Sequence, residues 1–259
     1  MASILGRNVD RLAAIAVFLL AQAAVASAAE IKVFSTVGVK SVLEDLVPKF
    51  EKATGNKLTI TWSTASLLAK RVQAGEQADA LVLIKGDVES LKTAGKIMPG
   101  TDVIFSKSIF AVGVKVGAPK PDISTPEAFK QALLASKAVS YTDPATGGAS
   151  GVYTAKQIDK MGITEQMKGK TKHPLSGGFS GSLLVDGQAD IAINSKPELM
   201  SVPGVEVVGP LPGDMAFTVT YDAAVQSGAA QADAAKAWVK YLTTPEAQAV
   251  FKAKGFDPA

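Results

Sequence analysis

Short β-rich runs alternate with amphipathic helical stretches along most of this chain, and that alternation narrows the fold more than any other feature. Strands that feed helices and return to strands pack as an α/β sheet with helices over its faces. Ile31-Lys32-Val33-Phe34 reads as a first strand. Val39, Val42, Leu43, Leu46 and Phe50 then recur at helical spacing, which predicts a helix over 38–53 stopped by Gly55-Asn56. Leu58 to Trp62 alternates as a second strand, and Leu67 to Val72 reads as a short helix ending at Gly75. Ala80 to Ile84 is continuously apolar, as a strand buried on both faces should be, and Val88 and Leu91 begin a helix that stops at Gly95. Ile109 to Val114 closes this series as a strand.

A second series follows a turn-rich connection, Gly117-Ala118-Pro119-Lys120-Pro121. Thr125-Pro126-Glu127 has the cap and first-turn proline of a helix start. Strands are expected at 138–142, 190–194 and 205–208, and helices at 150–161 and 179–186. Pro210-Leu211-Pro212-Gly213 breaks the chain again before a strand at Phe217–Tyr221 and two closing helices, the last beginning at Thr244-Pro245-Glu246. The two Pro/Gly breaks bracket a middle block. The simplest architecture is therefore two α/β lobes joined by a hinge, with a discontinuous first lobe: 29–113 and 217–259 form lobe one and 114–216 lobe two. A single doubly wound sheet is the alternative.

Composition removes several function classes. With no cysteine in 259 residues, disulfide frameworks, thiolate metal sites and thiol nucleophiles are excluded. The one histidine, His173, stands beside Lys170, Lys172 and Pro174 and reads as a solvated surface residue. No metal site and no cofactor are expected. A net charge of +3 is too small and too dispersed to suggest nucleic acid. Arg7 and Arg11, the apolar run Leu12–Leu20 and the small residues Ala26-Ser27-Ala28 have the layout of an export signal over 1–28, cleaved after Ala28. The run is too short for a bilayer span of about 20 residues, which argues against a membrane anchor. An exported chain without cysteine fits a bacterial periplasm.

Four strand-to-helix loops are rich in Gly, Ser and Thr: Ser35-Thr36-Val37-Gly38, Ser63-Thr64-Ala65-Ser66, Thr146 to Gly151 and Ser176 to Gly181. In α/β sheets such loops gather at the carboxyl ends of strands, where ligands bind. Each opens a helix, whose free N–H groups and dipole favour an anion, and small residues let that anion approach the backbone. The same residue types also serve as plain caps and turns. The pattern singles out Thr36, Val37, Gly38, Thr64, Ala65, Ser66, Ala149, Ser150, Gly151, Phe179 and Ser180 as ligand-binding candidates. Neither Gly-rich loop matches a nucleophile elbow or a P-loop. Lys70-Arg71 is either a solvated helix face or a cationic gate to the second loop; Tyr141 and Tyr153 read as packing, and Lys168 to Lys172 as surface.

Several stretches together resemble the periplasmic molybdate-binding proteins of ABC importers, the ModA-like, type II solute-binding proteins. They are Val33-Phe34 with its loop, Ser63 to Arg71 with Gln73-Ala74-Gly75 and Ala78-Asp79, Asp143-Pro144 leading to Ser150-Gly151-Val152-Tyr153, Gly204 to Pro212, and Leu242 to Ala247 with Phe251 and Gly255-Phe256. The resemblance implies a two-lobed type II fold that closes over a small anion, acts as a monomer and docks on a membrane permease. It places the family's two ligand serines on Gly38 and Ala65, and its late tyrosine near Asn194, which makes Asn194 the twelfth ligand-binding candidate. None of these keeps the family's side chain, although Thr36, Thr64 and Ser66 stand close by. Gly117 to Ser124 followed by Ser150-Gly151-Val152-Tyr153 is also similar to the organic-acid branch that includes the periplasmic aconitate isomerases. The resemblance therefore implies an anion-binding transport protein first, and an isomerase of a small unsaturated tricarboxylate as the alternative. The second would need a positioned acid/base, which the sequence does not single out.

Overall fold

A computed structural model describes residues 28–175 and 178–259. The expected export signal lies outside the described residues apart from Ala28, as do Ser176 and Gly177 of the fourth loop. Among the described residues no helix is long and apolar enough to cross a membrane.

Nine strands run in the order β2-β1-β3-β9-β4-β7-β5-β6, with β8 pairing on β4. In the first half, β1 (Glu30–Thr36) lies parallel to β2 (Lys57–Ser63) and β3 (Ala80–Ile84), and β3 is antiparallel to β9 (Thr218–Val225). In the second half, β5 (Val139–Ser140) is parallel to β6 (Thr171–Lys172) and β7 (Ile191–Ser195), and β8 (Val205–Pro210) completes the set. The thirteen-residue β4 (Val103–Lys115) joins them. Its residues 103–109 pair with β9, and 110–115 pair with β7 and β8. β4 is longer than its apolar run suggested, because Ser106, Lys107 and Ser108 interrupt the pattern. Both serines are wholly buried and bonded, Ser106 Oγ to the Asp257 carbonyl (3.2 Å) and Ser108 Oγ to the Tyr221 hydroxyl (3.2 Å).

The first half carries α1 (Lys40–Thr54), α2 (Ala65–Gln73) and α3 (Lys85–Thr93), together with the C-terminal α9 (Ala232–Tyr241) and α10 (Pro245–Ala253). Val42, Leu43, Leu46 and Phe50 form the buried face of α1, and Phe50 meets Trp238 of α9 edge to face at 5.1 Å. Asp79, the acid before β3, is a buried tie: its carboxylate accepts from Lys32 N and Gln231 N, both at 2.8 Å. The second half carries α4 (Pro126–Ala135), α5 (Ala149–Lys160), and the short α6 (Thr164–Met167), α7 (Ser182–Val185) and α8 (Lys196–Met200). The helix expected over 179–186 shrinks to α7. Gly181 stands so close to Val202 and Val205 that a Cβ would lie 3.2 Å from each, and this close packing fixes a turn there. The strand expected over 138–142 shortens to β5, because the chain turns through Asp143, whose side chain accepts from Ala145 N (2.9 Å).

Candidate functional site

The loops at the carboxyl ends of the strands meet where the two halves face each other. At the end of β1, Thr36 caps a one-turn 3-10 segment (Val37–Val39), its hydroxyl accepting from Gly38 N at 3.4 Å. At the end of β2, Thr64 caps α2, accepting from Leu67 N (3.4 Å) and donating across the cleft to the Thr146 carbonyl (2.8 Å). From the other side come the residues 142–150. Gly148 is the N-cap of α5, and Ser150 donates to the Thr142 hydroxyl at 2.9 Å. Gly151 must be glycine, since a Cβ there would sit 2.1 Å from the Thr142 carbonyl oxygen. First-turn N–H groups of α2 and α5 have no intrahelical partner, and Ala65, Ala149 and Ser150 of those turns line the space between.

That space is a cavity of about 50 Å³. Thr36, Val37, Gly38, Thr64 and Ala65 form one wall and Thr142, Ala149, Ser150, Asn194 and Glu198 the other, with Phe110 and Tyr221 where β4 and β9 cross. Thr64, Thr142 and Glu198 also border an outer chamber of about 460 Å³, lined further by Trp62, Asp143 and His173. Eight of the twelve candidate residues thus share one wall system. The other four stand elsewhere. Ser66 packs on Gly147, Gly151 on the Thr142 carbonyl, and Phe179 is half-exposed beside the wall. Ser180 lies behind Glu198, bonded to it. Among the described residues no lysine or arginine lines the inner cavity. Lys70 is exposed, Arg71 is engaged by Glu76 and stacked over Phe34, and neither lines the inner cavity or the outer chamber. His173 is exposed, as expected, with Nδ1 2.9 Å from the Tyr141 carbonyl. Among the described residues no cluster of three or more His, Cys, Asp or Glu is placed to hold a metal.

Tyr221, Ser195 and Glu198 are among the wall residues that were not singled out in the sequence. Tyr221 fills the room left by Gly38: a Cβ on Gly38 would lie 2.9 Å from its hydroxyl. Burial holds this phenol neutral, pushing it up to about 12, and the nearby Glu198 carboxylate adds to the effect. Ser195 is 2 % exposed; its Oγ has no partner among the described residues, the Tyr221 hydroxyl lying near without good hydrogen-bond geometry. Glu198, in the first turn of α8, is buried. Its Oε1 accepts from Ser180 N (3.3 Å), Ser180 Oγ (3.4 Å) and Asn194 Nδ2. Burial nonetheless dominates and raises the carboxyl to about 7. Ser195-Lys196-Pro197-Glu198 looks like an ordinary capped helix start, so the only available signal was an acid just past a strand's carboxyl end.

The family model for bacterial extracellular solute-binding proteins matches residues 31–257. The chain belongs to that family. It is 29 % identical over 232 residues to an aconitate isomerase of a Pseudomonas species, covering 87 % of each chain. It is 24 % identical to the molybdate-binding protein ModA of Escherichia coli K12, covering 92 % of this chain and 93 % of that one. The periplasmic molybdate-binding protein of Azotobacter vinelandii superposes with a TM-score of 0.72 at 17 % identity, over 88 % of this chain and 99 % of that one. This solute-binding protein thus has the two-lobed type II fold expected from its sequence. Chemically, its cleft offers neutral donors from both lobes and one buried carboxyl able to hold or release a proton near neutrality.

Proposed function

We propose that this protein captures a small anion outside the cytoplasmic membrane, in the periplasm, and hands it as a monomer to the permease of an ABC importer. The observation that carries the reading is the convergence of hydroxyls and helix first-turn N–H groups from both lobes on one small cavity. Such a cage replaces an anion's water shell with fixed neutral dipoles once the lobes close. β4 changes partners at Ile109/Phe110, which supports two lobes, 29–113 with 217–259 and 114–216, with the crossing a few residues earlier than 113. The relatives named for molybdate support a small anion as the ligand, and membership of a solute-binding family supports docking on a permease. A thermal-shift panel of molybdate, tungstate, sulfate, phosphate, citrate and aconitate tests it. A ligand at about 100 times its Kd adds roughly 2.7 kcal/mol to stability, a clear rise in Tm. Indifference to every anion combined with tight binding of a neutral sugar or a cation refutes it.

One observation favours a second reading, isomerisation of a small unsaturated tricarboxylate. Glu198 supplies the acid/base near neutrality that moving an allylic proton requires, and a relative is named for that reaction. Incubation with cis-aconitate, followed by NMR for the trans isomer, decides between the two. Turnover lost in Glu198→Gln supports the enzyme, and saturable binding without turnover supports transport.

A further inference from the structure

We propose that the cleft takes up its anion together with one proton, carried at Glu198, so that this residue sets which anions are accepted. The inference rests on the anion-capture reading above. All three hydrogen bonds to the Glu198 carboxyl fall on Oε1, and among the described residues none reaches Oε2. The residue borders both the inner cavity and the outer chamber, and Oε2 is not among the fully buried unpartnered oxygens, so it keeps access to open space. Among the described residues no lysine or arginine lines the inner wall to offset two adjacent negative charges. An ionised carboxylate at contact distance from a bound anion would weaken binding by roughly a thousandfold at the effective dielectric of protein sites. A proton between them turns that repulsion into a donated hydrogen bond, as when two carboxyls share one proton.

The neighbours leave Glu198 as the group that titrates. From β7 and the turn before α7 it faces the neutral Asn194 and Ser180; from β9 it senses Tyr221, which stays protonated well above neutrality. On α8 itself, Lys196 reaches away to the C-terminal turn, its Cε lying 3.6 Å from where a Cβ on Gly255 would be. His173 and Asp143 line only the outer chamber. Burial already brings the free carboxyl to about 7. Above that pH the proton must come from solvent, one per anion bound. Anions of weak acids, which share a proton well with a carboxyl, gain most.

The test is calorimetry on the protein with sulfate, molybdate and trans-aconitate, all fully ionised in the range used, from about pH 7.5 to 9 in two buffers of different ionisation enthalpy. The expected result is a Kd that rises close to tenfold per pH unit and uptake of about one proton per ligand at the alkaline end. Glu198→Gln, whose amide keeps an Oε1 acceptor and adds a donor, should bind with no pH slope and no uptake, while His173→Asn keeps both. Saturable binding that is flat with pH, or uptake that persists in Glu198→Gln or vanishes in His173→Asn, overturns the inference and leaves anion capture standing. Binding of no probe overturns the inference, and anion capture falls with it only when the rest of the anion panel is ignored as well and a neutral sugar or a cation binds tightly. The wild-type uptake measurement stands alone if the glutamine variant fails to fold.

Discussion

Replacing Glu198 by glutamine should change how stability depends on pH, whatever the ligand proves to be. The carboxyl rises from an ordinary 4.5 to about 7 on folding, mainly through burial. Between those values the folded protein holds a proton that the unfolded chain has released. Unfolding then releases a proton, so stability falls as pH rises. The contribution is intact below the unfolded value, and the loss is complete above about 7. At about 1.4 kcal/mol per pH unit the full loss is roughly 3 kcal/mol. Asp222, raised to about 6 by burial, slopes the same way at lower pH, but it is present in both proteins and cancels in their difference. Urea unfolding of wild type and Glu198→Gln at several values between about pH 5 and 8, in buffer free of candidate anions, gives that difference directly. The variant should gain about 2.5 kcal/mol on wild type between pH 5 and 8, most of it by about pH 7. Parallel curves would show that Glu198 is solvated or ionised in the folded state, and would refute the electrostatic picture of the cleft.

Two further outcomes follow from the opposite wall. Gly38→Ala puts a methyl 2.9 Å from the Tyr221 hydroxyl and 3.3 Å from its ring, which packs against Phe105 and Phe256 and has little room to yield; anion affinity should fall about tenfold, near 1.4 kcal/mol by calorimetry, with part of it regained in Gly38→Ala/Tyr221→Phe. Thr64→Ala removes both the α2 cap and the hydroxyl that bridges to Thr146, so urea unfolding should show a loss of about 1 kcal/mol, with Thr64→Ser close to wild type.

Local chemistry was legible where one residue type has one job. Thr125-Pro126 and Thr244-Pro245 start helices as their sequence says, each threonine accepting from the N–H three residues on. The continuous apolar run Ala80–Ile84 is a strand buried on both faces. The loops ending at Gly38, Ala65 and Ser150 reach one cavity because parallel strands place their carboxyl ends together. What stayed hidden depends on partners distant in sequence. Ser106 and Ser108 lie outside the apolar run read as a strand, yet they are buried within β4, where Asp257 and Tyr221 satisfy them. Tyr221 looked like one more strand aromatic, and only the absence of a Cβ at Gly38, far away in the chain, turns its hydroxyl into part of the wall. Glu198 follows a serine and a proline as any first-turn acid does, and no local pattern reveals that the turn is buried.

The departures from the resemblance at Gly38 and Asn194 make one consistent chemical change. Where a serine hydroxyl was expected at Gly38, the chain has room, and the Tyr221 phenol enters it from β9. Where a tyrosine was expected near Asn194, a smaller amide holds Glu198 by one oxygen. Donors have thus moved from the loops to the strand crossing, and a carboxyl has joined a wall otherwise built of neutral groups. A carboxyl repels any bound anion unless a proton lies between them. If the anion is taken up with a proton at Glu198, the wall disfavours anions of strong acids such as sulfate, which share a proton poorly, on either the transport or the isomerase reading.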